Sequence, residues 1–356
     1  MSKILHLFTV DLRHHGLRLK CQGQAKALSG AGETKSLFYV FSSSDSLFTK
    51  ILKLIFFDIK ASYCALFASI IYARYSPKCV LLNVTLWILS WFKVIYLEHN
   101  IRSKELRLLK RWFEWGILEC SLFALLRSPC KQVSIGEDIR DFLLKKGASQ
   151  KSITLIHNGY DAIDLPAYPQ ESPILNKVKA LQKRFPNQKW GVLVDIGKAW
   201  SGLTHVQTLS HHYPQVSWLI VGHFPQKKSE GAIHYLGALD PYELHPIYAL
   251  CDFGVAAFAP DIIPDMTRNS SLKVREYLCY GLPVLLNYPD PLLENAALSP
   301  FLLPLDPSLQ NFAGFLHQAF NHTLIKQVAR KELSLERALA EILVDIRKQL
   351  QGSFPE

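Results

Sequence analysis

Between Arg268 and Leu286 the chain reads RNSSLKVREYLCYGLPVLL: a polar loop, a helix-length segment, a Gly-Leu-Pro turn and an apolar run. If Ser270, Ser271 and Leu272 open a helix, their amide N–H groups lack intrahelical partners and point along a dipole that favours an anion. Lys273 adds positive charge at that end. Glu276 follows one turn on, where a carboxylate can accept two hydroxyl hydrogen bonds. A diphosphate next to a ribose, as in a nucleotide-sugar, is the chemistry such a set would grip. The same residues also fit a plain helix–turn–strand unit, with Glu276 merely paired to Lys273 at i,i+3. Both readings stay open on this stretch alone.

Three further candidates lie at the ends of apolar runs. VIYLEHN (Val94–Asn100) reads as a buried strand ending in Glu98, His99 and Asn100. In α/β sheets, chemistry collects beyond the carboxyl ends of the strands, so His99 is a functional candidate beside its structural alternative. KILHLFTV (Lys3–Val10) reads as a first strand, and the loop after it, DLRHHG, holds Gly16. Without a side chain there, a ligand could approach the backbone closely. WGVLVDIG (Trp190–Gly197) reads as a strand entering a glycine turn, with Lys198 next.

The elements needed to position these residues form two α/β series. A helix over Leu17–Leu28, closed at Ser29-Gly30, and a strand at Ser36–Phe41 complete a β-loop-α-β opening. There is no Gly-x-Gly-x-x-Gly fingerprint, so a dinucleotide site is not expected. Residues 46–75 and 103–128 both read as helices. In the second, Leu106, Leu109, Trp112 and Phe113 share a face, with Arg107, Lys110 and Arg111 largely on another. A basic amphipathic helix with Trp suits an anionic membrane surface, although most amphipathic helices face their own core. Prolines over Pro166–Pro173 mark a linker. The strand–helix pattern then restarts, and Leu335, Leu339, Ile342, Leu343, Ile346 and Leu350 set a helical period within a long helix over Leu324–Leu350. The expected divisions are 1–165, 166–330 and a final helix at 331–356.

Charge and cysteine usage narrow the class. Residues 1–165 hold 23 Lys and Arg against 13 Asp and Glu, so the whole formal excess of +10 lies there. That points to an anionic partner, or else to an ordinary Lys-rich surface. The seven Cys form no Cys-x-x-Cys pair, which argues against a disulfide framework or zinc site and for a reducing, cytoplasmic setting. The first residues do not read as a signal peptide. The uncharged runs Ala61–Ala73 and Cys79–Phe92 are shorter than the ~20 residues of a spanning helix, and no transmembrane helix is expected. Bulky aliphatics interleave the basic residues, so nucleic acid is not an expected partner.

Taken in order, these stretches resemble the family 4 (group 1) glycosyltransferases. The resemblance runs through ILHLFTVDLRHHG, VIYLEHN, SITLIHNGYD, VDIGK, LIVGHFP and IHYLGALDPYELHPIYALCDFGVAAF. SSLKVREYLCYGLPVLL is similar to the family's Ser-Pro-Leu-Lys-x-x-Glu-Tyr donor-motif variant. The resemblance implies the GT-B fold: two Rossmann-like doubly wound domains facing across a cleft, the last helix returning to the first domain. It implies transfer of a sugar from a nucleoside-diphosphate sugar to a glycan or lipid-linked glycan, with retention of configuration and without a metal or other cofactor. Gly16, Lys198, Ser270, Ser271, Leu272, Lys273 and Glu276 would bind substrate. His99 and Glu276 would be the catalytic pair, with Glu276 on the ribose. Arg268 stands where many members carry a sugar-binding Glu, and Ala199, Trp200 and Ser201 where a basic residue is usual. A sugar-nucleotide epimerase of the same fold, and a degenerate membrane- or glycan-binding protein, are the alternatives. A cytoplasmic location, peripheral at the inner face of the plasma membrane, would suit a lipid-linked acceptor.

Overall fold

The structure, a computed structural model, describes residues 3–11, 15–39, 45–100, 106–107, 110–162, 172–195, 202–224, 230–258 and 268–352. The chain divides into two compact units, one comprising 1–158 with 335–356 and the other 159–334.

The first unit is a parallel sheet of β1 (Ile4–Asp11), β2 (Thr34–Tyr39), β3 (Ile70–Arg74), β4 (Val94–His99), β5 (Lys131–Ser134) and β6 (Ile153–Leu155). Their spatial order is β2-β1-β3-β4-β5-β6. Its middle strands are apolar on both faces because both faces are covered. Alternate residues serve different cores, as the two-residue period of a strand requires. Leu5, Leu7, Ile71, Ala73, Ile95 and Leu97 pack with α2 (Leu47–Phe67), α3 (Val80–Leu89) and α4 (Trp112–Leu125). Ile4, Ile70, Tyr72 and Tyr96 point the other way. They meet Ala27 and Leu28 of α1 (His15–Ser29) and Leu339, Ile342, Leu343 and Ile346 of the chain's last turns. α5 (Glu137–Lys145) flanks β5.

The second unit repeats the plan with β7 (Lys189–Asp195), β8 (Val216–Gly222), β9 (Ile233–Gly237), β10 (Phe253–Ala256), β11 (Val284–Leu286) and β12 (Leu302–Pro304). All are parallel, in the order β12-β11-β10-β7-β8-β9. Its helices are α6 (Pro173–Arg184), α7 (Leu203–His212), α8 (Pro241–Tyr248), α9 (Leu272–Cys279), α10 (Asn311–His317) and α11 (His322–Glu332). The strand order reverses between β7 and β10, as it does between β1 and β3 in the first unit. Such reversals leave a crevice at the carboxyl ends where doubly wound sheets bind ligands.

Four expectations are corrected. Residues 46–75 are not one helix: Ile70–Arg74 form a central strand, every residue buried between β1 and β4. An unbroken apolar run does not reveal where a buried helix gives way to a buried strand. Residues 103–128 are not one helix either. Lys110 adopts a left-handed backbone, φ 54°, and α4 starts only at Trp112. The long helix over 324–350 breaks after α11, where the Leu333 carbonyl accepts from the Tyr160 amide. The chain resumes as α12 (Leu335–Ala338) and α13 (Ala340–Gly352), both in the first unit. Gly16 lies in the first turn of α1 rather than in a loop.

Candidate functional site

Helix α9 is built from both ends. Ser271 caps it, its hydroxyl oxygen accepting from the Lys273 amide at 3.3 Å. At the other end Gly281 takes φ 90°, which glycine tolerates best, and the turn closes through Leu282 N–H to the Tyr277 carbonyl. Val274, Tyr277 and Leu278 are fully buried. The Tyr277 ring lies so close to β10 that a Cβ on Gly254 would be 2.5 Å from it. The Tyr277 hydroxyl oxygen accepts from the Val194 amide at 2.9 Å. These contacts seat α9 over β7 and β10, so its N-terminus lies at the strand-order reversal.

Charge gathers there. The Lys273 ammonium pairs with Asp195, the last residue of β7, at 3.2 Å. The Asp195 carboxylate also accepts from the Gly202 amide at 3.3 Å, just before α7. Glu276 is not engaged by Lys273 but turned to Tyr248 on α8, whose hydroxyl donates to it at 3.1 Å. His245 Nε2 stands 3.8 Å from the same oxygen. The Glu276 side chain is 11% exposed. Burial drives its pKa up to about 7, against the opposing pulls of the Tyr248 hydrogen bond and the Lys273 charge. The turn before α9 is braced by Arg275, wholly buried with Asp290 and donating to the Ser271 carbonyl at 3.1 Å. The two sides of that brace are fifteen residues apart.

The structure thus brings together Ser270, Ser271, Leu272, Lys273 and Glu276, with Ser270 and Ser271 both buried. Lys198 lies outside the described residues. Arg268 is exposed and pairs with Glu294 at 2.8 Å.

Gly16 and His99 belong to the first unit. Gly16 is half-buried, and a Cβ added there would meet no atom within 4 Å. His99 is buried at the end of β4, tilted against Tyr75 with ring centres 5.3 Å apart. Its Nε2 stands 2.7 Å from the Gln132 side-chain oxygen. The Gln132 amide nitrogen donates to the Leu125 and Cys130 carbonyls, which turns the amide oxygen towards the ring. Nε2 is therefore the protonated nitrogen. Burial lowers the imidazole pKa to about 4, so the ring is neutral at neutral pH.

Beside His99, Glu98 anchors a buried polar cluster at the same edge of the sheet. Its carboxylate accepts from Lys20 at 2.9 Å, Gln24 at 2.6 Å and Tyr72 at 2.7 Å, with Arg74 at 4.0 Å. Lys20 also donates to Asn158 at 2.8 Å. Burial alone would raise the Glu98 pKa, but Lys20 and Arg74 outweigh it and hold it at about 2. Sequence reasoning missed Lys20, Arg74, Asp195, Tyr248 and the Arg275–Asp290 pair. The signal available for Arg74 and Asp195 was the one used for His99, a polar residue closing an apolar run.

Two doubly wound units, each with a strand-order reversal, define the class of fold, and solved structures share it along their whole length. A glycosyltransferase from Rickettsia africae ESF-5 is 14% identical, with TM-score 0.61, covering 98% of this chain and 99% of that one. Anabaena Alr3699/HepE in complex with UDP and glucose is 16% identical, with TM-score 0.60 and 99% of both chains covered. A Listeria monocytogenes protein described as a UDP-N-acetylglucosamine 2-epimerase is 13% identical, with TM-score 0.55, covering 100% of this chain and 99% of that one. The fold is therefore GT-B. No protein-family model matches the sequence, and no curated protein matches it.

Proposed function

We propose that the chain is a glycosyltransferase that moves a sugar from a nucleoside-diphosphate sugar to a glycan or lipid-linked glycan. One observation carries this reading. The open end of α9, with Lys273 beside it and a buried carboxylate one turn further on, lies at the strand-order reversal of the second unit. The first-turn amides other than that of Lys273, which the Ser271 hydroxyl caps, and the Lys273 ammonium suit a diphosphate, whose negative charge grows as it leaves. Glu276, already held by Tyr248, suits the ribose hydroxyls. Lys198 would add a second cation. The complex of HepE with UDP and glucose supports a uridine nucleotide-sugar among the donors to test first.

In the proposed reaction the bond from the anomeric carbon to the diphosphate oxygen breaks, and the electron pair leaves with the diphosphate. The acceptor hydroxyl forms the new bond on the same face and passes its proton to a diphosphate oxygen. Configuration is retained, and neither a protein nucleophile nor a metal is required. His99, neutral and with Nε2 held by Gln132, fits a positioning group for the sugar better than a proton carrier.

The test is a calorimetric panel of UDP- and GDP-sugars against the full chain, with release of nucleoside diphosphate followed in parallel. Saturable binding of at least one donor, lost in Glu276→Ala, is expected. Absence of binding by every donor refutes the reading. The Listeria protein's shared fold keeps a sugar-nucleotide epimerase as a second reading. That reading is selected if the donor sugar is isomerised with no acceptor present.

A further inference from the structure

Helix α2 is apolar on two sides. Phe57, Ala61 and Ala65 face the core of the first unit. Phe48, Leu52, Ile55, Ile59, Tyr63 and Leu66 recur at helical spacing on another side, and all are exposed, Phe48 by 70%. A surface helix ordinarily shows solvent a polar face. The surface continues across neighbouring elements, since α2 packs on α3 and α3 on α4. Val84, Trp87 and Ile88 are exposed on α3, followed by Trp91 and Phe92, the latter by 81%. Trp112, Phe113 and Phe123 are exposed on α4. Between α3 and α4 a groove of about 640 Å³ is walled by Val84, Trp87, Trp112, Phe113, Gly116 and Ala124.

The charges around this face are one-sided among the described residues. Its carboxylates are engaged. Asp45 pairs with Lys53 at 2.7 Å, Asp58 accepts the Leu81 and Leu82 amides, Glu114 pairs with Arg111 and Lys78, and Glu119 with Lys146. Lys60 on α2, Arg107 and Lys110 just before α4 and Arg127 just after it are exposed cations around this face. Arg107 lies over Trp112 at 5.9 Å and Arg127 over Phe123 at 3.8 Å. Long basic side chains alongside aromatic rings are what a lipid interface selects, with apolar bodies below the headgroups and cations among the phosphates. A second copy of this chain on the same face would oppose like charges. No described helix is long and apolar enough to cross a membrane. The face therefore suits lying on a bilayer rather than spanning one.

We propose that α2, α3 and α4 dock the protein on an anionic phospholipid bilayer, and that the α3–α4 groove takes one hydrocarbon chain from it. The proposal stands independently of the donor chemistry.

Sedimentation of the full chain with vesicles of phosphatidylcholine, alone or mixed equally with phosphatidylglycerol, tests the docking. Co-sedimentation with the anionic vesicles is expected, weakening as salt is raised. The triple variant Phe48→Ser/Ile55→Ser/Ile59→Ser is expected to partition at least roughly tenfold less, because each side chain withdrawn from lipid loses apolar burial. Its thermal unfolding is expected to match the parent's, since all three residues are exposed. Gly116→Phe fills the groove from a position where a new Cβ meets no atom within 4 Å. Native mass spectrometry after vesicle exposure is expected to find one lipid on the parent chain and none on Gly116→Phe. The docking is overturned if neither vesicle binds, if neutral and anionic vesicles bind alike, or if the triple variant binds as the parent does. It is also overturned if the parent dimerises without lipid and the triple variant does not, which would assign the face to a second copy. Equal lipid retention by the parent and Gly116→Phe overturns the groove assignment.

Discussion

Replacing Glu276 by Gln separates a stability effect from a binding effect at one residue. The carboxyl sits at about 7 in the fold, against an ordinary value of 4.5, because burial disfavours its charged form. Between those two values the folded state holds a proton that the unfolded chain has released. Folding stability therefore falls as pH rises through that window and stays lower above it. The gap corresponds to about 3 kcal/mol. The amide introduced by Glu276→Gln keeps a carbonyl oxygen for the Tyr248 hydroxyl and never ionises. The variant is thus expected to match the parent near pH 4.5 and to exceed it by up to about 3 kcal/mol above pH 8. Its affinity for a nucleotide-sugar is expected to fall at least tenfold, since a hydrogen bond to a charged group is worth about 1.5–3 kcal/mol and an amide cannot replace a carboxylate that accepts two hydroxyls. Donor affinity of the parent is expected to rise from pH 5 to pH 8, because hydroxyl donors favour the ionised form. Urea denaturation at a series of pH values, followed by far-UV circular dichroism, measures the first effect and titration calorimetry the second. A variant less stable than the parent throughout would show that the carboxylate is a structural partner, and unchanged donor affinity would sink the ribose assignment.

Three other substitutions probe the framework. Glu98→Gln leaves Lys20 and Arg74 buried without their counter-charge and is expected to cost about 3–5 kcal/mol in denaturant titrations. Because the Glu98 pKa is held at about 2, its contribution is present above the ordinary carboxylate range and is lost as pH falls towards 2. Acid titration should show that loss in the parent and not in the variant. Arg275→Met strands the buried Asp290 carboxylate and is expected to lower the melting temperature, with a loss of about 3–5 kcal/mol, by scanning calorimetry. Gly16→Ala meets no atom and lies in a helix, so its stability is expected to hold or rise by about 0.4–1 kcal/mol. Its kcat/KM is expected to fall if a substrate lies against that backbone, and an unchanged value would remove Gly16 from the site.

The sequence by itself determined most of the strands and the bounds of α9. Apolar runs marked most of the strands, Ser271 and Gly281 bounded α9, and polar residues at strand ends pointed to Glu98 and His99. These signals are local, because strand period and helix caps depend on residues within a turn or two of each other. Where a local signal was ambiguous it misled. The continuous apolar stretch through Ala73 concealed β3, and the helical period of 103–128 ran through Lys110, whose left-handed backbone splits it. Only the tertiary structure decided which groups meet. Lys273 reaches Asp195 across 78 positions, and Glu276 reaches Tyr248 across 28. Glu98 gathers Lys20 across 78 and Tyr72 across 26. The elevated pKa of Glu276, the depressed pKa of Glu98 and the exposed apolar face of α2–α4 follow from what is packed around each residue. Burial and charge pairing are properties of neighbours in space, and spacing along the chain does not carry them.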